Sequence, residues 1–205
     1  FFTYRKGAAA LKYMRLSAAF FSMGYFYSEG IKKTASGYQL YKKISVPYYQ
    51  PLAKDKRRKD GDYTLTPSID NRFWNKMDFS KRPVSNVKTL ETFITLTETA
   101  GKAQVTIEVK GMKDVAVTVE LCFKEGGQLT GVTDMGNDNY LLNAQQAVYK
   151  LGNDAIYFGP GLVTHKQITD LEGERYSTHF GSLRTKGMHV YLTGKTPLTH
   201  VIEFS

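Results

Sequence analysis

The 205 residues carry a formal charge of +9, with 28 Lys and Arg against 19 Asp and Glu. Such a length holds one large β domain, or one domain plus a short appendage, with enough chain to bury a real core. A single cysteine, Cys122, excludes an intramolecular disulfide and a cysteine-based metal site. No apolar run approaches the ~18 residues needed to span a bilayer. The excess of positive charge points to an acidic partner: nucleic acid, an anionic membrane surface or an acidic polysaccharide.

The sequence opens at Phe1 rather than Met and reads as a processed product or a piece of a longer chain. Arg5 and Lys6 followed by Leu16–Phe26 mimic a secretory leader, but Ser17, Ser22 and Gly24 interrupt the apolar stretch and no small-residue cleavage site follows. Residues 4–28 predict one long helix. Leu11, Met14, Ala18, Phe21 and Tyr25 share one helical face, while Arg5, Lys12, Arg15 and Ser22 share another. Ala9, Tyr13, Leu16 and Phe20 widen the apolar side, so the helix should be buried against more than one neighbour. Gly30 reads as its stop signal.

Residues 31–85 read as an irregular linking segment. It holds the basic run Lys54, Lys56, Arg57, Arg58 and Lys59, then an aromatic and charged stretch that includes Arg72, Phe73, Trp74, Lys76, Phe79, Lys81 and Arg82. Long ordered loops of this kind tend to carry function. No RNA-binding aromatic signature, zinc finger or helix-turn-helix pattern accompanies the charge, so nucleic acid is not the expected partner.

From residue 86 the period becomes two. Leu90, Thr92, Ile94 and Leu96, then Val105, Ile107 and Val109, then Val115 to Phe123 alternate with polar residues, as in strands with one wet face. Gly111–Asp114 and Glu125–Gly127 read as hairpin turns. Short strands follow near 128–133, 139–142, 146–151, 154–158, 162–168, 188–193 and 199–204. The expected fold is therefore mostly β: an antiparallel β-sandwich over 86–205, preceded by one long buried helix over 1–30.

Residue types that carry chemistry are sparse. Gly126-Gly127, Gly131 and Gly159-Pro160-Gly161 open no helix and lack a following Lys-Ser or Lys-Thr, so they are turns rather than phosphate loops. Asp134, Asn137, Asp138 and Asn139 match no calcium loop and read as an Asx-rich turn. No metal and no cofactor is expected. Asp62, Asp70 and Asp78 offer carboxylates for a glycosidase pair. His189 and His200 fall in predicted strands and read as structural. His165 and His179, near Glu172, Glu174, Arg175 and Tyr176, form a different set: a His, a Tyr and an Arg can together abstract a proton beside a carboxylate and neutralise it, the chemistry of acidic-polysaccharide elimination. The catalytic candidates are thus His165, Arg175, Tyr176 and His179. For binding, Tyr48, Tyr49, Tyr63, Phe73 and Trp74 offer faces for sugar rings, and Arg72, Lys81 and Arg82 suit uronate or sulfate groups. The competing reading has Phe73 and Trp74 anchoring the loop to the core.

Tyr4-Arg5-Lys6-Gly7-Ala8-Ala9-Ala10-Leu11, with Met14-Arg15-Leu16 after it, resembles the last helix of an α-helical toroid. With the ending Val190-Tyr191-Leu192-Thr193-Gly194 and Thr196-Pro197-Leu198-Thr199-His200, the layout is similar to the C-terminal part of heparinase-like polysaccharide lyases and related helical-toroid glycan-degrading proteins. The resemblance implies that most catalytic residues belong to an upstream helical domain, and that this chain supports or closes the cleft without being catalytic alone. No catalytic residue carries over. The leading expectation is a C-terminal β-sandwich module of a carbohydrate-processing protein, periplasmic or on the cell surface, that contacts an acidic polysaccharide through Tyr48, Tyr49, Arg72, Trp74, Lys81 and Arg82. The alternatives are a self-contained polysaccharide lyase or glycoside hydrolase, and a structural or adhesive surface module with no ligand.

Overall fold

The computed structural model describes residues 2–68, 72–166 and 185–205. They fall into two compact units, one made of Phe1–Ile44 with Leu90–Ser205 and the other of Ser45–Thr89.

The first unit is two β-sheets. In chain order the strands are β1 (Tyr4–Lys6), β2 (Ala9–Ala18), β3 (Gly24–Tyr25), β4 (Gly30–Lys33), β5 (Gly37–Tyr49), β6 (Val84–Thr99), β7 (Lys102–Gly111), β8 (Ala116–Phe123), β9 (Gln128–Thr130), β10 (Thr133–Gly136), β11 (Asn139–Leu141), β12 (Ala147–Leu151), β13 (Asp154–Gly159), β14 (Met188–Lys195) and β15 (Leu198–Phe204). The far ends of β5 and β6 belong to the second unit. One sheet has seven strands in the order β1-β2-β8-β14-β11-β10, with β3 on β2. The other has eight, in the order β4-β5-β6-β7-β15-β13-β12-β9. Neighbouring strands pair antiparallel at β1–β2, β2–β8, β8–β14, β10–β11, β4–β5, β6–β7, β7–β15, β15–β13, β13–β12 and β12–β9, whereas β11 and β14 run parallel.

The sheets meet through residues that alternate along each strand. Met14, Leu16, Val119, Leu121, Phe123, Val190 and Leu192 face inward from one sheet, and Val105, Ile107, Tyr149, Ile156, Phe158, Ile202 and Phe204 from the other; all are buried. The Phe123 ring lies 4.8 Å from Tyr149 and 4.7 Å from Phe158, which joins the two layers directly. Each fully buried side chain of this size contributes about 1.5–3 kcal/mol relative to exposure. Polar residues also face inward: Thr92 on β6 is buried in register with Val109, and Lys42 on β5 is buried, its Nζ donating to the Tyr25 carbonyl at 2.7 Å and lying 3.5 Å from the centre of the Tyr27 ring. Burial pulls this amine down to about 8.

The long N-terminal helix does not exist; residues 4–25 contribute β1, β2 and β3. A bulge explains the helical spacing. Leu11 pairs with Phe123 while Tyr13 pairs with Cys122, so Lys12 is an extra residue in β2. The three-residue step from Leu11 to Met14 crosses this bulge. The four-residue step from Met14 to Ala18 is even and keeps both on one strand face. The chain then turns at Phe21 and Ser22, both in the left-handed region at φ 51° and 56°, where a helix cannot continue. Gly30 opens β4 rather than ending a helix.

Three local expectations also change. Gly111–Asp114 and Glu125–Gly127 are not hairpin turns: each carries the chain from one sheet to the other, since β7 and β9 belong to the eight-stranded sheet and β8 to the seven-stranded one. One tight hairpin lies instead between β6 and β7, where Thr99 pairs with Lys102 and both Ala100 and Gly101 take positive φ, a primed turn suited to the strand twist. The strand expected near 162–168 reduces, within its described residues, to one parallel bridge from Val163 to Thr193.

The second unit has no buried residue among those described. It contains the far ends of β5 and β6, a short helix α1 (Phe73–Lys76) and two single 3-10 turns, Lys54–Lys56 and Phe79–Lys81. Polar bonds and ring contacts hold it together. Gln50 N donates to Pro83 O at 2.8 Å, Thr66 N to Lys76 O at 2.8 Å, and Arg58 N to the Tyr63 hydroxyl at 2.7 Å.

Candidate functional site

Two groups of side chains in different units have the chemistry of a site. The first lies in residues 45–89, where ten Lys and Arg against five Asp give a net charge of +5, more than half of the chain's +9. A cleft of about 470 Å³ is lined there by Pro51, Leu52, Tyr63, Leu65, Phe73 and Met77, with Arg57, Lys81, Arg82 and Asp78 supplying charge. That volume lies within the range of small-molecule sites.

The aromatic residues are exposed rather than anchored in a core: Phe73 is 65% and Trp74 59% accessible. Trp74 and Tyr49 both pack on Phe79, at 4.6 and 4.5 Å between ring centres, and the Arg82 guanidinium sits 5.8 Å from that same ring. Lys81 is paired with Asp78 at 3.3 Å. Arg72 occupies the position before α1 without a side-chain capping bond, and Tyr48 is exposed on β5. Of the six binding candidates, Tyr49, Trp74, Lys81 and Arg82 therefore gather around Phe79 and Asp78.

Of the three carboxylates offered for a glycosidase pair, Asp62 and Asp78 are engaged by neighbours. Asp78 accepts from Ser80 N at 3.0 Å and from Ser80 Oγ at 2.5 Å, and these bonds hold it below the usual carboxylate range. A glycosidase general acid needs the opposite shift. Asp62 lies 3.6 Å from Arg58 Nη2, and Asp70 falls outside the described residues.

The second group lies on the outer face of the seven-stranded sheet. The cross-strand register sets Tyr13, Cys122 and His189 in one row, Arg15, Glu120 and Tyr191 in the next, and Ser17, Thr118 and Thr193 in a third. In a sequence reading this is a wet face; in the structure, Glu120, Cys122, His189, Tyr191 and Thr193 are all buried. Arg15 Nη2 donates to Glu120 Oε1 at 2.6 Å and to the Tyr13 hydroxyl at 3.0 Å. Thr185 Oγ1 also donates to that hydroxyl, at 2.9 Å, and the phenol donates to Glu120 at 3.0 Å. His189 Nε2 lies 3.4 Å from Tyr13 Oη and 3.8 Å from Glu120 Oε1.

This set contains the Tyr, His and Arg types expected of an eliminating enzyme, but from other positions. Its arrangement retains a proton rather than removing one from a substrate. The Tyr13 oxygen accepts two bonds and its proton is committed to Glu120. Burial, then the Glu120 charge, raises the phenol above its usual range. Burial likewise raises the Cys122 thiol, which suits an inert buried cysteine.

Of the catalytic candidates named from sequence, His165 lies beside β14, where Thr193 Oγ1 donates to its carbonyl at 2.6 Å and burial holds its ring below the usual histidine range. Four residues of strand, about 13 Å, separate Thr193 from His189. Arg175, Tyr176 and His179, with Glu172 and Glu174, lie outside the described residues. His200 donates to Pro160 O at 2.9 Å, a structural contact. The Asx-rich loop is the β10–β11 turn, with Asn137 and Asp138 at positive φ and Gly136 N donating to Asp134 Oδ1 at 2.7 Å. Among the described residues, no three His, Cys, Asp or Glu are grouped to hold a metal, and no helix is long and apolar enough to cross a membrane.

No local signal joins the quartet Tyr13, Arg15, Glu120 and His189, because Tyr13 and Arg15 lie more than 100 positions from Glu120 and more than 170 from His189, and helical spacing places Tyr13 and Arg15 on helix faces. The signal available was the alternation Tyr13-Met14-Arg15-Leu16-Ser17 itself, polar and apolar in turn. The chain matches no known family, no curated protein and no solved structure.

Proposed function

We propose that this protein is a β-sandwich module of a carbohydrate-processing protein and that residues 45–89 bind an acidic glycan. The observation that carries the reading is the placement of exposed aromatic faces beside guanidinium and ammonium groups around the open cleft of this unit. Aromatic faces stack on the C–H surfaces of pyranose rings, and arginine grips carboxylate or sulfate through paired donors. A heparinase-like origin would fit this role, with the sheet module contacting the polymer while chemistry resides elsewhere, but residues 4–16, likened above to a toroid helix, form strands β1 and β2 and lend it no support.

The test is retention of the purified chain on immobilised heparin, polygalacturonate and alginate, with neutral dextran as control, at low and moderate salt. Retention on an acidic polymer should weaken with salt, as screened charge contacts do. Arg72→Ala combined with Arg82→Ala should abolish it without changing the unfolding transition. Equal retention by that double variant would refute this placement of the site.

A further inference from the structure

A second cavity, of about 610 Å³, belongs entirely to the first unit. Its floor is the outer face of the eight-stranded sheet. Thr97 on β6 pairs with Gln104 on β7, and Gln104 pairs with Glu203 on β15, so three hydrogen-bonding side chains stand in one cross-strand row. The next strand adds Tyr157, whose backbone exchanges both bonds with Ser205 and which is 43% exposed. Gln145 and Gln146, in the connection from β11 to β12, form another wall. This wall is held close: a Cβ at Gly159 would lie 2.4 Å from the Gln145 carbonyl oxygen, so only glycine lets the two segments approach this far.

The groups lining the cavity have a specific chemistry. Three carboxamides each carry a planar donor and acceptor, a pattern that matches neighbouring hydroxyls on a ring. The Gln104 amide donates to Glu203 Oε1 at 3.1 Å, which orients its remaining N–H and its carbonyl oxygen. Tyr157 provides the single aromatic face that remains open beside them. The two charged side chains lining the cavity, Lys102 and Glu203, are of opposite sign, so the site holds no net field for an anion. Here it differs from residues 45–89, where cations outnumber anions two to one.

From this row of hydroxyl, amide and carboxylate beside an exposed tyrosine we infer a neutral-sugar site: the outer face of β6, β7, β15 and β13 binds an uncharged pyranose segment of a glycan, with Tyr157 stacking on the ring and Gln104 and Glu203 bonding vicinal hydroxyls. This inference rests on the carbohydrate reading above only for the class of ligand; the residues and the unit are separate.

The experiment is an amide-shift titration of the whole chain with cellohexaose, xylohexaose, mannohexaose and laminarihexaose, each up to about 10 mM, a range that covers weak single-site binding. At least one should shift resonances of Gln104, Gln146, Tyr157 and Glu203. Tyr157→Ala should weaken that binding by about tenfold, as loss of one aromatic stacking partner does, and Gln104→Ala should weaken it as well. Both variants should keep the wild-type unfolding transition, and the Arg72→Ala/Arg82→Ala protein should bind the neutral sugar as wild type does. No shift with any of the four, or shifts unchanged in Tyr157→Ala and Gln104→Ala, would overturn the inference. Loss of retention on acidic polymers alone would bear on residues 45–89 and not on this cavity.

Discussion

Replacing Arg15 with Met tests the buried polar face of the seven-stranded sheet. The substitution keeps a long flexible side chain but removes the 2.6 Å bond to Glu120 and the 3.0 Å bond to the Tyr13 hydroxyl. The side chains of Arg15 and Glu120 are only 12% and 7% exposed, so water cannot replace the lost guanidinium in place. Breaking a buried ion pair from one side costs about 3–5 kcal/mol, because a carboxylate stays behind without its partner. For a chain of this size each kcal/mol moves the melting point by about 2–4 °C, which places the loss at about 6–20 °C. Calorimetry on the wild type, Arg15→Met, Glu120→Leu and the double variant completes the cycle. The double variant should recover at least about 1 kcal/mol relative to the sum of the single losses, because neither charge is then left alone. Arg5→Met, on exposed β1, should change little. A loss below about 1 kcal/mol for Arg15→Met would match a solvated surface pair and would refute the burial of this face.

The Tyr13 phenol is raised above its usual value of 10.0 by burial and then by Glu120, so above about pH 10 the unfolded chain gives up its proton first and stability falls with rising pH; denaturant melts across that range should show a shallower alkaline decline in Tyr13→Phe. Gly37→Ala would place a Cβ 1.9 Å from the Leu96 carbonyl oxygen, an overpacking that costs about 1–3 kcal/mol or more, whereas Gly30→Ala meets open space and should stay within about 0.5 kcal/mol of wild type; equal urea midpoints for the two variants would contradict the strand packing.

The class of the fold was legible in the sequence from residue 86 onward. Val105-Ile107-Val109 and Val117-Val119-Leu121-Phe123 alternate cleanly, and each became a buried strand face. The basic, aromatic character of residues 45–89 was equally legible, because charge and ring count need no coordinates. The neutral cavity had no sequence signal: Gln104, Tyr157 and Glu203 are unremarkable outward residues of three strands that only sheet order makes neighbours.

By itself the sequence determined what depends on neighbouring residues: the period of two, the turn glycines, the charge run. Tertiary structure decided what depends on pairing across the chain. One extra residue at Lys12 turned a strand into an imitation of a helix, since a bulge adds the odd step that helical spacing requires. Which face of β8 meets water was likewise set by its partners: Thr118 and Glu120 look solvated along the chain, but β2 and β14 on either side, with Thr185 reaching Tyr13, close that face into a buried network. Alternation specifies that two faces differ; only the assembled sheets determine what each face touches.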